Sequence, residues 1–128
     1  MSQENVEMVR AGFEAFNRGD FDAMLESYDP EVEFVTLLLG NHQGKEALFG
    51  LYEENRQAVI GYTLEPEELI DAGDNVIAVA RMGGAGRVSQ IGLGDRVAFV
   101  FTIKDGLVVR QQTFRNKAEA LKAAGLRE

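Results

Sequence analysis

The first third of the chain carries apolar residues at helical spacing. The apolar positions of the first stretch recur every three or four residues: Val6, Val9, Phe13 and Phe16. This spacing predicts an amphipathic helix that Gly19 ends, after which Asp20 caps a second helix. The apolar positions of this shorter helix are Phe21, Met24, Leu25 and Tyr28. The Asp-Pro pair at 29–30 ends it, and a third helix is predicted over 45–59.

The second half of the chain is patterned for strands. After a strand-like stretch over 32–39 and a loop over 40–44, the period changes to two, and the predicted strands are 62–71, 76–87, 96–104 and 107–115. Pro66 predicts an edge strand or a bulge, and the Asp105-Gly106 pair predicts a tight hairpin turn. Asn116 caps a short terminal helix that Gly125 ends. We therefore predict one α+β domain over 1–128, with three helices in the N-terminal half, a mainly antiparallel sheet and a short C-terminal helix.

Composition excludes several kinds of site. The 128 residues include no cysteine and one histidine, so disulfides, Cys/His zinc sites, iron–sulfur clusters and thiol nucleophiles are impossible. Thirteen basic against 21 acidic residues give a net charge of −8, which argues against nucleic acid as a partner. The N-terminus lacks the pattern of a signal peptide, and no apolar run is long enough to cross a membrane. We expect a cytoplasmic protein with no membrane partner, no metal and no cofactor.

His42 is the best acid–base candidate in the sequence. The run GNHQGKE at 40–46 has the wrong spacing for a phosphate-binding loop and lacks the Ser or Thr that binds magnesium. None of the three serines lies in a Gly-x-Ser-x-Gly motif. Imidazole, however, has an unperturbed pKa suited to proton transfer near neutral pH. Two readings stay open for His42: a catalytic residue on a loop, or a structural residue at the surface.

The last strands carry an unusual share of polar residues. Five arginines lie on or beside them: Arg81, Arg87, Arg96, Arg110 and Arg115. They either form ion pairs with glutamates or point inward and bind an acidic ligand. Alternation places Gln111, Thr113 and Arg115 on one face of the last strand, and neither face is cleanly apolar. This pattern predicts that one side of the strand lines a partly polar cavity, and it leaves open which side.

Four runs of residues carry a resemblance to a known family: FEAFNRGDFD at 13–22, DPEVEF at 29–34, KDGLVV at 104–109 and AEALKAAGL at 118–126. In this order they resemble the SnoaL-like group of the nuclear transport factor 2-like superfamily. The resemblance implies a cone, in which a curved sheet wraps around the helices and leaves a pocket open at one end. Members include polyketide cyclases, ketosteroid isomerases, epoxide hydrolases and non-catalytic binding proteins, and they are often homodimers.

The family's catalytic positions are occupied here by residues that cannot do that chemistry. Where ketosteroid isomerases have a tyrosine, a basic aspartate and a neutral carboxylic acid, the resemblance aligns Gly12, Phe34 and Ala98. Where the cyclases and epoxide hydrolases have an aspartate on the last strand, it aligns Thr113. We therefore expect no efficient ketosteroid isomerisation or epoxide opening.

The resemblance also implies a ligand pocket of roughly 300 to 1,000 Å³. The residues expected to line it or to bind its ligand are Phe13, Phe16, Tyr28, Phe34, Tyr52, Arg96, Val100, Thr102, Gln111, Thr113 and Arg115. The leading hypothesis is a pocket for a small, mostly hydrophobic molecule. The alternatives are a cyclase, isomerase or hydrolase acting on a small carbonyl or epoxide compound through His42, and a non-catalytic dimeric interaction module. We also expect a homodimer, since two apolar sheet faces would leave one exposed on a monomer.

Overall fold

The computed structural model describes residues 2–36, 40–86 and 96–126, and its elements confirm the predicted α+β class. The helices are α1 (Ser2–Asn17), α2 (Phe21–Leu25), α3 (Lys45–Ala58) and α4 (Lys117–Ala123). The strands are β1 (Tyr28–Thr36), β2 (Gly40–Gln43), β3 (Val59–Ala72), β4 (Asn75–Gly86), β5 (Arg96–Lys104) and β6 (Leu107–Phe114). Two predicted segments, the end of the first strand at 37–39 and the glycine-containing connection at 87–95, lie outside the described residues.

The turn between α1 and α2 has the predicted chemistry, but α2 is shorter than predicted. Gly19 has a φ of 79°, and the Asp20 side chain accepts a hydrogen bond from the Ala23 backbone N–H at 3.1 Å. The helix ends at Leu25, and Tyr28 begins β1 instead of ending the helix. The reason is tertiary, because Tyr28 pairs with Val108 on β6. A parallel strand partner thus overrides the helical spacing of the apolar residues.

The six strands form one mixed sheet in the order β2-β1-β6-β5-β4-β3. Only the β1–β6 pairing is parallel among the described strands. The predicted loop at 40–44 is wrong, because Gly40–Gln43 forms an edge strand in which His42 lies opposite Phe34. Pro66 lies on the other edge strand, and the register of β3 against β4 shifts between Pro66 and Glu68, which confirms the predicted edge and bulge.

The inner face of the sheet packs against α1, α2 and α3 and holds the larger hydrophobic core. The end of α1 is attached to β3 by one side chain. Asn17 Nδ2 donates to the Leu64 carbonyl at 2.9 Å, and the Leu64 N–H donates to Asn17 Oδ1 at 2.8 Å. Because β3 is an edge strand, this amide satisfies backbone groups that have no neighbouring strand. It also fixes the distance between α1 and the sheet.

The outer face of the sheet is covered in part by α4, which corrects one premise of the homodimer prediction. Ile77, Ala98 and Val100 are buried beneath Ala120 and Leu121. Among the described residues, Leu126 is the one large hydrophobic side chain that is exposed. An exposed apolar sheet face therefore does not argue for the homodimer. No helix in the described ranges is long and apolar enough to cross a membrane.

Candidate ligand-binding site

A small cavity lies between α1 and the inner face of β5 and β6. Five residues predicted to line the pocket do so: Phe13, Phe16, Tyr28, Tyr52 and Gln111. The cavity volume is about 30 Å³, so the prediction of a pocket of several hundred Å³ is wrong for this state of the protein. The physical reason is a cluster of rings. The Phe13 centroid lies 5.9 Å from that of Phe99 and 6.0 Å from that of Phe101, and these rings fill most of the space under α1.

Three side chains form a hydrogen-bonded group in this apolar cavity, which we call the triad (Tyr28, Gln111 and Tyr52). The Tyr28 hydroxyl donates to Gln111 Oε1 at 2.6 Å, and Gln111 Nε2 donates to the Tyr52 hydroxyl at 2.7 Å. Gln111 is 4% exposed and is the buried polar residue of the described core. Burying an amide without hydrogen-bond partners costs free energy. The two tyrosine hydroxyls supply those partners and so offset the cost of burying Gln111.

The triad comes from three separate elements. Tyr28 starts β1, Tyr52 lies on α3, and Gln111 lies in β6 opposite Phe34 and Phe101. The tyrosine rings pack among other aromatic rings, and the Tyr52 centroid lies 5.3 Å from that of Phe16. The site is therefore held by the core packing itself.

Burial raises the pKa of both tyrosines of the triad. Desolvation raises the pKa of Tyr28 well above its usual value, with a smaller contribution from Tyr52. Desolvation likewise raises the pKa of Tyr52, while the hydrogen bond from Gln111 lowers it and Tyr62 raises it. At neutral pH both phenols carry their protons. The cavity lining, as far as it is described, contains no Asp, Glu, His, Lys or Arg.

Gly12 forms the wall of the cavity on α1. A Cβ atom at this position would come no closer than 3.9 Å to its nearest neighbour, Met24 Cγ. A glycine inside a helix is usually less favourable than alanine, by about 1 kcal/mol. Gly12 therefore leaves room for a Cβ atom without a clash, and a longer side chain at this position would extend into the cavity.

His42 and Phe34 lie at the side of the site. The His42 ring stacks on Phe34, with centroids 5.4 Å apart and planes inclined by 24°. Phe34 is buried on the inner face beside Gln111, whereas His42 is exposed on the edge strand. Neither residue lines the cavity. The candidate base is thus separated from the triad by a phenylalanine.

The prediction that Val100 and Thr102 point into the pocket is wrong. An unbroken hairpin after Asp105-Gly106 would place Val100 opposite Gln111. A register shift between Thr102 and Ile103 places Phe101 there instead. One extra residue in a strand shifts the pairing by one position, so that beyond it the other set of alternate residues on the partner strand shares the inner face. Val100 accordingly packs beneath α4, and the Thr102 hydroxyl donates to Asn75 Oδ1 at 2.7 Å.

The cavity is also lined by residues outside the predicted set of site residues. Phe99 and Phe101 line the cavity from β5, and Met8 and Met24 line it from α1 and α2. The register shift comes from Val109 of β6, which lies between two paired residues and has no partner on β5, and no glycine or proline in the sequence marks it. The methionines, in contrast, share the helical spacing of their apolar neighbours.

The remaining predicted site residues lie away from the cavity. Thr113 shares the inner face with Gln111 but does not line the cavity. Arg96 forms a bidentate ion pair with Glu67, in which Nε and Nη2 donate to the two carboxylate oxygens at 2.7 and 3.1 Å. Arg115 is exposed beyond the end of β6. Arg110 Nε lies 3.3 Å from Glu33. These placements favour the ion-pair reading for Arg96 and Arg110.

The other two aligned catalytic positions, Ala98 and Phe34, lie on opposite faces of the sheet. Ala98 is buried under α4 on the outer face, so the inward residues of that part of β5 are Val97 and Phe99. Phe34 points inward. No group of three His, Asp or Glu residues converges to hold a metal ion within the described ranges.

Comparison with solved structures identifies similar folds. A candidate polyketide cyclase from Sinorhizobium meliloti has a TM-score of 0.75 and 26% identity, over 89% of this chain and 99% of that one. The protein Bal32a, from a soil-derived mobile gene cassette, has a TM-score of 0.75 and 25% identity, over 88% and 89% of the two chains. An NTF2-like protein from Burkholderia thailandensis has a TM-score of 0.73 and 26% identity, over 85% and 88%.

The comparison with curated proteins found no match. The family model for the SnoaL-like domain matches residues 9–111, which include the second half of α1, strands β1 to β5, β6 as far as Gln111, and the complete triad. This match covers most of the sequence, and the similar structures share the whole fold. The chain therefore belongs to the SnoaL-like domain family.

Proposed function

We propose that this protein binds a small, mostly hydrophobic molecule in the cavity between α1 and the sheet. The observation that carries the proposal is the triad, in which Tyr28 and Gln111 are buried and Tyr52 is half-buried, within a largely apolar lining. Small-molecule sites have this composition, with a few placed polar groups among hydrophobic side chains. The family resemblance implies the same kind of ligand.

The cavity volume of about 30 Å³ means that side chains move when a ligand enters. Drug-sized ligands need roughly 300 Å³ or more. Met8 and Met24 line the cavity and have flexible, unbranched side chains that refill irregular spaces. A ligand that binds only the opened form loses apparent affinity in proportion to the rarity of that form. We therefore expect compact ligands and moderate affinities.

A second candidate function is a non-catalytic interaction module. The observation that favours it is the same ring cluster, because a core filled by its own phenylalanines needs no ligand. The remaining alternative was an enzyme with His42 as acid or base. Its support is weaker, because His42 lies on the edge strand outside the cavity lining.

A thermal-shift screen with a cavity-filling variant tests the proposal. The panel runs by size from cyclopentanone and cyclohexanone through monoterpene ketones to a steroid. At least one compound should raise the Tm of the wild-type protein by mass action. Gly12→Leu should abolish that shift by occupying the cavity. Gly50→Leu is the matched control, because Gly50 is exposed on α3 with open space around its Cβ position, and it should keep the shift.

Two outcomes would refute the proposal. One is a panel in which no compound shifts the Tm of the wild-type protein, which would favour the interaction module. The other is a shift of equal size in wild type and Gly12→Leu, with Gly12→Leu folded as judged by circular dichroism. That result would place the ligand elsewhere.

A further inference from the structure

The hydrogen bonds of the triad have a direction. Gln111 Oε1 can only accept and its Nε2 can only donate, and these atoms face Tyr28 and Tyr52 respectively. The single proton of the Tyr28 hydroxyl is therefore used inside the triad. The Tyr52 oxygen accepts from the amide, so its own proton points away from Gln111.

The Tyr52 proton has no protein acceptor in the part of the chain that the structure describes. The Tyr52 hydroxyl makes one hydrogen bond there, in which it is the acceptor. Tyr52 lines the cavity, whose other described walls are largely apolar. Tyr52 is half-buried, so a guest in the cavity or a water molecule can accept this proton, and without either the donor's capacity stays unused at a cost in free energy.

The direction of the triad also strengthens this donor. A hydroxyl that accepts a hydrogen bond becomes a better donor, because successive bonds polarise one another. Here Tyr28 polarises the Gln111 amide, and the amide polarises Tyr52. The low polarity of the cavity increases the effect.

From these observations we infer that the cavity selects ligands with a neutral acceptor oxygen, such as a ketone, aldehyde or ester carbonyl, which binds the Tyr52 hydroxyl. This inference rests on the proposed function and adds the chemical class of the ligand. A carboxylate does not fit, since no cationic side chain is present among the described lining residues to offset its desolvation. In this account Tyr52 binds the ligand, and Gln111 positions Tyr52.

The test uses two pairs of probes with the same shape, one member with the oxygen and one without. The pairs are cyclopentanone with methylenecyclopentane, and cyclohexanone with methylenecyclohexane. Dissociation constants are measured by NMR titration for the wild type and for Tyr52→Phe. Comparing the effect of the substitution on each probe cancels the different solvation of ketone and alkene in water. One neutral hydrogen bond predicts that Tyr52→Phe weakens ketone binding about two- to tenfold and leaves alkene binding unchanged or tighter.

Two further Tyr→Phe variants make the test specific. Tyr62→Phe is the matched control, because the Tyr62 ring packs on Phe16 with centroids 5.5 Å apart but does not line the cavity. It should not change the preference for ketone. Tyr28→Phe tests the direction of the hydrogen bonds in the triad. It removes a hydroxyl whose proton is donated to Gln111 Oε1 and is therefore not available to a ligand. It should weaken ketone binding less than Tyr52→Phe does.

The infrared C=O stretch of the bound ketone gives a second readout. Donation from Tyr52 should lower its frequency in the wild type and in Tyr62→Phe, and the lowering should disappear in Tyr52→Phe. If ketone and alkene bind, but Tyr52→Phe affects both equally and leaves the C=O stretch unchanged, the inference is wrong while the proposed function stands. A larger loss from Tyr28→Phe than from Tyr52→Phe also overturns it. If neither member of either pair binds the wild type up to its solubility limit, the inference fails, and the proposed function fails with it when the larger ketones of the thermal-shift panel also give no shift.

Discussion

Replacing Gln111 by leucine should destabilise the protein although it makes the core more apolar. The amide is 4% exposed and joins two tyrosine hydroxyls through hydrogen bonds of 2.6 and 2.7 Å. Leucine is of similar size and can form neither bond. The Tyr28 proton then loses its acceptor, and Tyr52 loses its donor, while both rings stay packed in the core.

The expected cost follows from the two lost bonds. Each hydrogen bond contributes about 0.5–1.5 kcal/mol, and a buried donor left without a partner costs about 1–3 kcal/mol. The greater hydrophobicity of leucine offsets part of this cost. We expect Gln111→Leu to lower the free energy of unfolding by about 1–3 kcal/mol. The combination Tyr28→Phe/Gln111→Leu/Tyr52→Phe removes all three polar groups together, so it should cost less than Gln111→Leu alone.

Urea denaturation followed by circular dichroism measures these differences, with all variants at one protein concentration. The control is Gln112→Leu, which changes the neighbouring residue on the outer face of β6 and should stay within about 0.5 kcal/mol of wild type. A Gln111→Leu protein as stable as the control would refute the reasoning. So would a triple variant whose loss equals the sum of its single variants, because it would mean that the three side chains are not coupled.

Four further predictions follow from other features. Because burial raises the pKa values of all three tyrosines above 10.0, the folded state keeps protons that the unfolded state releases; the tyrosine contribution to the free energy of unfolding should be full below about pH 10 and be lost above it, and a flat urea midpoint from about pH 9 to pH 11 would contradict this. Gly12→Ala and Gly50→Ala should each raise the free energy of unfolding by up to about 1 kcal/mol, since both lie in helices and neither Cβ would clash; a loss of stability for Gly12→Ala in the same urea titration would show that its space is not free. Asn17→Ala should cost about 1–3 kcal/mol by leaving the Leu64 backbone groups unpaired, and an unchanged urea midpoint would argue against it. Light scattering should give twice the chain mass of 14.1 kDa if the predicted homodimer forms, and 14.1 kDa would exclude it.

Local signals in the sequence were sufficient for most of the fold. The glycine and aspartate at 19–20 end one helix and cap the next as predicted, and Asp105-Gly106 forms the expected hairpin turn. These features depend on a few neighbouring residues. The errors came from contacts between distant parts of the chain. Tyr28 is drawn into a strand by Val108, and the stretch 40–43 becomes a strand because β1 lies beside it.

The candidate site was only half predictable for a related reason. The family resemblance was sufficient to place the aromatic residues of the helices in the pocket, whereas the inward residues of β5 depend on a single register shift between Thr102 and Ile103. That shift replaces the pair Val100 and Thr102 by Phe99 and Phe101. Both rings pack against Phe13, and the cavity beside them measures about 30 Å³.

A crystal structure of the protein soaked with cyclohexanone tests the central claim most directly. We predict that the ketone lies between α1 and the β5–β6 strands, with its oxygen roughly 2.5–3.0 Å from Tyr52 Oη. Met8 and Met24 should adopt new rotamers to admit it. A structure at saturating ketone in which the cavity still measures about 30 Å³ and holds only the protein's own side chains would contradict the account.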